Sequence, residues 1–146
     1  MNYFLKLNVV SILYALMAVI PLELMLNVYR ITRLTGWEIG TVNIWTAILL
    51  FATLIVGTLF LFRLTEIWLG FRKPNYFTAL LWFPYFILFV YIFTVSFPFT
   101  YGGDDPNPVT GILMIFGIMI YPFYILILNN LAMMTNVKGE EKTKEL

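Results

Sequence analysis

Glu23 is the residue best placed to do chemistry in this 146-residue chain. It sits inside a long apolar run, residues 8–29, with no other charge between Lys6 and Arg30. An ionised carboxylate at that depth costs a few kcal/mol, so it must face protein or water. Asn27 follows one helical turn later and Arg30 a second turn on, so the three form one polar stripe on a helix. Three readings suit such a stripe. Glu23 could bind a proton or a cation, or it could reach toward the membrane surface and pair with Arg30, Arg33 or an outer-loop donor, or bond a partner subunit across an interface.

Other polar groups are fewer. Asn129 and Asn130 sit near the end of the last apolar run and suit hydrogen bonding between helices. Asp104, Asp105 and Asn107 lie in a Gly-Asp-Asn-Pro segment. Two carboxylates and one amide are too few to hold calcium, so they read as turn residues that cap their own backbone. The chain has no His and no Cys, which removes the commonest general base and metal ligand, disulfides and thiolate chemistry. No phosphate-binding glycine loop, zinc-binding helix motif or nucleophile elbow occurs. No catalytic site, metal or cofactor is expected.

The elements that position these residues follow from composition. Hydrophobic residues make up 61% of the chain and charged ones 12%, against about 45–50% and about 25% in soluble domains. That excess must face lipid. Four apolar runs, residues 8–29, 44–64, 77–97 and 109–133, each reach the roughly 20 residues a membrane helix needs. The first runs on past Ala15-Leu16-Met17-Ala18 to Leu26, as a span does and a cleaved signal does not. The second has no breaker before Gly70 and Pro74, so its helix can continue through Glu66 and Trp68. Arg63 and Glu66 then share a face and can pair. The expected fold class is all-α: a polytopic membrane protein, an antiparallel bundle of four transmembrane helices over residues 1–134. A polar, solvated tail follows at 135–146.

Lys and Arg set the orientation. One side carries Lys6, Arg63, Arg72, Lys73, Lys138, Lys142 and Lys144; the other carries Arg30 and Arg33. Both termini are therefore expected in the cytoplasm, with the Asp104–Asp105 loop outside. On that topology Glu23 lies about five residues past the midplane near Ala18, roughly 7–8 Å at about 1.5 Å per residue. Asn129 and Asn130 lie near the opposite surface, so they do not join Glu23 in one site. Trp37 and Trp45 suit the headgroup level. Ser11, Ala15 and Ala18, with Thr53 and Gly57, offer small faces for close helix approach.

Two likenesses are weak. Phe83-Pro84-Tyr85-Phe86-Ile87-Leu88 echoes Tyr121-Pro122-Phe123-Tyr124-Ile125-Leu126, a similarity that aromatic-rich spans produce by chance. Ala18-Val19-Ile20-Pro21-Leu22-Glu23 resembles the first helix of the small multidrug resistance transporters, in which a Glu binds proton and cationic drug. Leu-Met-Leu-Asn follows here in place of that family's small residues, and span three lacks its glycines. Six residues do not assign the family.

With a net charge of +1, nothing attracts nucleic acid. The expected function is non-enzymatic: an accessory, assembly or immunity-type subunit in the bilayer that binds another integral membrane protein or itself. The alternative is a homo-oligomeric transporter or channel for a proton or small cation, using Glu23. A lipid-acting enzyme would need a second acid near Glu23, which this topology does not supply. A holin-like lysis protein is a further option on size and tail.

Overall fold

Asn2 holds an extended backbone, and from Tyr3 the chain turns helical. In the computed structural model, which describes residues 2–70 and 72–144 and side chains through residue 135, α1 covers Tyr3–Leu26. Pro21 lies inside α1. Its ring nitrogen cannot donate to the Met17 carbonyl, so this turn is held by its neighbours. Asn27 leaves helical geometry at φ −99° and ψ 13°, and a short helix, α2, Val28–Thr35, starts directly after it. The polar stretch that follows the first apolar run is thus helical as far as Thr35. Gly36 ends it at φ 71°, a left-handed conformation that glycine adopts without a Cβ clash.

The second span, α3, runs Ile39–Trp68, longer at both ends than its apolar run. Gly70 closes it, again left-handed at φ 59°, with the Leu69 and Gly70 amides both donating to the Thr65 carbonyl. A 3₁₀ turn, Lys73–Phe77, leads into α4, Thr78–Ser96. A second 3₁₀ turn, Gly102–Asp104, precedes α5, Pro108–Lys144. Asn107 caps α5: its Oδ1 accepts from the Val109 amide at 2.9 Å. Proline suits the first position of α5, where no amide donor is needed. The α5 backbone is helical through most of the tail, whose side chains beyond 135 lie outside the described residues.

The described residues contain helices and turns and no strand. Four helices are long and apolar enough to cross a membrane, the pattern of a multi-pass membrane protein. They are not equally covered. In α1, 39% of the apolar window is buried, against 17% for the segment that includes α4 and 11% each for α3 and α5. Helix α1 is therefore the central element, packed against α3, α4 and α5. Val10, Tyr14 and Ala15 on α1 are fully buried, with Ile125 on α5. Trp82 on α4 packs edge-on against Phe86 at 5.4 Å and Tyr121 at 4.7 Å. Gly57 lets α3 approach α1: a Cβ there would lie 2.8 Å from Met17 Sδ.

Candidate functional site

Asn27 sits where α1 gives way to α2, and this break decides where its neighbours point. Its Nδ2 donates to the Glu23 carbonyl at 2.8 Å and lies 3.4 Å from Glu23 Oε2. The Asn27 side chain is buried, and its Oδ1 has no partner. Glu23 is half-buried. Glu23 and Asn27 are thus in contact, a carboxylate beside an amide with a free oxygen. Such a pair can hold and release a proton. It offers too few oxygens for a metal, and no group of three acidic, His or Cys side chains among the described residues could hold one.

Arg30, the third member of the stripe, turns elsewhere. Its Nη1 and Nη2 donate to the carbonyls of Phe97 and Pro98, both at 3.0 Å. Its Nε lies 3.7 Å from Asp104 Oδ2, and its guanidinium stacks 4.3 Å from the Phe99 ring centre. One turn on, Arg33 takes the same carboxylate with both arms: Nε to Oδ1 at 2.8 Å and Nη2 to Oδ2 at 2.7 Å. Asp104 is 1% exposed. Hydrogen bonds from Arg33 hold its carboxyl below the usual carboxylate range, against the burial that pushes it up, and the charges of Arg33 and Arg30 add to the lowering. The same bonds push Arg33 up.

Asp104 is therefore not a residue that caps its own turn. It is the receptor for two arginines 71 and 74 positions before it in the sequence. The missed signal was present: two arginines and two aspartates lie in alternate loops, which a four-span topology brings to one side. Asp105 is exposed. Asn107 does cap backbone, that of α5.

A second polar cluster gathers at the start of α1. Asn129 is fully buried. Its Nδ2 donates to Thr78 Oγ1 at 2.8 Å and to the Ile125 carbonyl at 3.0 Å. Thr78 donates in turn to the Asn75 carbonyl at 2.8 Å. Asn75, also fully buried, donates to the Gly70 carbonyl at 2.7 Å and accepts from Tyr3 at 2.7 Å. The chain of bonds joins α1, the α3–α4 turn, α4 and α5. Asn130 is exposed and accepts from Tyr76 at 2.6 Å. Nearby, Tyr85 donates to Asn8 Oδ1 at 2.6 Å. Sequence reading singled out neither Asn75 nor the tyrosines: a lone Asn in a basic turn carries no pattern.

Deeper in the helices the polar atoms are hydroxyls. Tyr121 donates to the Tyr14 carbonyl at 2.7 Å, and the Tyr124 and Thr58 hydroxyls are 2.7 Å apart. These bonds fasten α5 to α1 and to α3. Comparison with protein-family models, curated proteins and solved structures gives no match.

Proposed function

We propose that this chain is a non-catalytic integral membrane subunit that binds another membrane protein. It crosses the bilayer as an antiparallel bundle of four helices, with both termini in the cytoplasm. The bonds at the two ends of α1 support the antiparallel order. Tyr3, at the start of α1, meets Asn75, beyond the end of α3, while Arg30 and Arg33, beyond the end of α1, meet residues 97–104, beyond the end of α4. The excess of Lys and Arg on the Tyr3 side supports the orientation.

The observation that carries the binding role is the uneven cover of the spans: 39% of the window buried in α1, 11% in α3 and α5. The arginines and the buried asparagines hold the chain to itself. What remains outward is two long apolar faces. On α3 one face presents Ile44, Ile48, Ile55 and Leu59, all exposed, at the helical spacing of a packing row. A partner helix lies along this row.

The test is recovery of tagged protein from its native membrane in mild detergent, with mass spectrometry of what comes with it. A stoichiometric, unrelated membrane protein is expected, crosslinked by a photoreactive residue at Ile55. Recovery of the chain alone or only with itself overturns the reading.

One observation favours a second reading, a homo-oligomeric transporter. Asn27 Oδ1 is buried without a partner beside the half-buried Glu23, and a transported proton or small cation would use it. Glu23→Gln then abolishes flux in liposomes while self-association persists. Equal flux in the variant removes Glu23 from the mechanism.

A further inference from the structure

Two cavities lie end to end along the Met25 side of α1. The first, about 400 Å³, is lined by Tyr29, Asn43, Thr46, Asn107 and Thr110 among others. The second, about 210 Å³, lies deeper, between Pro21, Leu54, Trp82, Gly117 and Tyr121. Met25 and Leu50 line both, so the two form one groove. We infer that this groove binds one hydrocarbon chain of a lipid whose head is uncharged and bears hydroxyls, as a monoacylglycerol does.

Three features of the groove select that occupant. The first is its polarity. At the deep end the polar atoms are engaged within the protein: Tyr121 donates to the Tyr14 carbonyl and Trp82 Nε1 to the Ala79 carbonyl at 3.1 Å. What they present to the cavity is ring, beside Leu54, Leu113 and Ile118. The mouth is the reverse. Asn43 and Thr46 make no side-chain hydrogen bond to protein among the described residues, and Asn107 uses only its Oδ1. Free amides and hydroxyls there suit a head that both donates and accepts.

The second feature is charge. Among the described residues, no Lys, Arg, Asp or Glu lines either cavity. The adjoining outer cavity shares Tyr29 and Asn107 with the mouth and adds Asp105. A carboxylate next door disfavours a phosphate or carboxylate head.

The third is length. From Thr110 to Tyr121 α5 covers about 16 Å at about 1.5 Å per residue. One leaflet of a roughly 30 Å hydrocarbon core is about 15 Å thick. A chain standing in one leaflet fills the groove from mouth to floor.

Gly117 keeps the deep end open. It stands inside α5, where glycine costs about 1 kcal/mol relative to alanine, and a Cβ there meets nothing within 4 Å. No contact among the described residues requires it. A larger side chain at 117 would enter the cavity and leave the core as it is.

The inference is separate from the partner reading, because it is tested on the isolated protein. Detergent-purified protein is mixed with 1-monomyristoylglycerol and examined by native mass spectrometry, with myristate and tetradecylammonium as competing probes. One equivalent of the monoglyceride is expected. Occupancy falls about tenfold in Gly117→Leu, which keeps wild-type helicity and dispersity. Asn43→Leu with Thr46→Val, which leaves the deep end intact, reduces the preference for the monoglyceride over myristate. Equal retention by wild type and Gly117→Leu overturns the site. Preferential retention of myristate or of the ammonium overturns the uncharged head. Should Gly117→Leu not fold, the Asn43/Thr46 pair decides: an unchanged preference overturns the proposal.

Discussion

Arg33 grips both oxygens of the Asp104 carboxylate, at 2.8 and 2.7 Å, across 71 residues of sequence. This bidentate pair, with Arg30 on the Phe97 and Pro98 carbonyls, fastens the segment between α4 and α5 onto α2. A planar guanidinium matches a carboxylate in a way that lysine cannot. Asp104→Asn keeps the size and removes the charge. The expected result is faster hydrogen exchange at residues 97–104, with the α1 and α4 amides unchanged. Unchanged exchange in the segment would show that the clamp does not hold it.

The clamp also sets a pH dependence. Asp104 is held below its ordinary value of 3.8. A carboxylate with a lowered folded pKa stabilises the fold fully above its unfolded value and loses that contribution as pH falls through the folded value. The difference in melting temperature between wild type and Asp104→Asn is therefore constant from about pH 5 upward. It shrinks toward zero as the pH falls below the ordinary range. A difference that grows on acidification would contradict the assignment.

Asn75 holds more of the structure than its place in a turn suggests. It meets Tyr3, Gly70 and, through its carbonyl, Thr78. Asn75→Ala removes the hydrogen-bond partner of two half-buried groups, the Gly70 carbonyl and the Tyr3 hydroxyl, and costs about 1–3 kcal/mol. Asn130→Ala, at an exposed site, costs no more than about 0.5 kcal/mol. Detergent-to-denaturant unfolding curves of the two variants check the order.

The α1–α3 contact turns on Gly57 and Met17. A leucine at 57 must displace the Met17 thioether, and overpacking of this kind costs about 1–3 kcal/mol. Met17→Ala in the same chain clears the space, so the double variant should recover part of the loss. The absence of any recovery would place the strain elsewhere.

The Thr58–Tyr124 bond links α3 to α5. Hydrogen bonds between membrane helices average about 0.6 kcal/mol. Tyr124→Phe and Thr58→Val should each cost about that much, and the double variant no more than either alone. Additive losses would mean that the two hydroxyls act separately.

How much of this was legible in the sequence depends on the interaction. The four spans were legible because lipid demands long uninterrupted apolar runs, and each run lies within, or largely overlaps, one long helix. The contact between Glu23 and Asn27 was legible because four residues make one turn. The end of α1 at Asn27 and the helix α2 beyond it were not, since Arg30, Arg33, Gly36, Glu38 and Gly40 read as a break in apolarity rather than as the surroundings of a short polar helix. Asp104 was misread as a turn residue because local capping is the usual role of Asp in such a segment, and its partners are remote.

The sequence by itself determined that the chain is helical, that it carries four segments able to cross a bilayer, and the order of polar groups along each of them. Periodicity and hydropathy act within one helix, so one helix's residues suffice to read them. Only the tertiary structure decided that α1 is the central helix, that Arg30 leaves Glu23 for Asp104, that Asn75 ties the start of α1 to the turn after α3 and the start of α4, and that a groove opens beside Gly117. Each of these is a meeting of residues far apart in the chain. Which remote donor meets which acceptor depends on how the helices rotate and tilt against one another, and no single stretch of sequence fixes that.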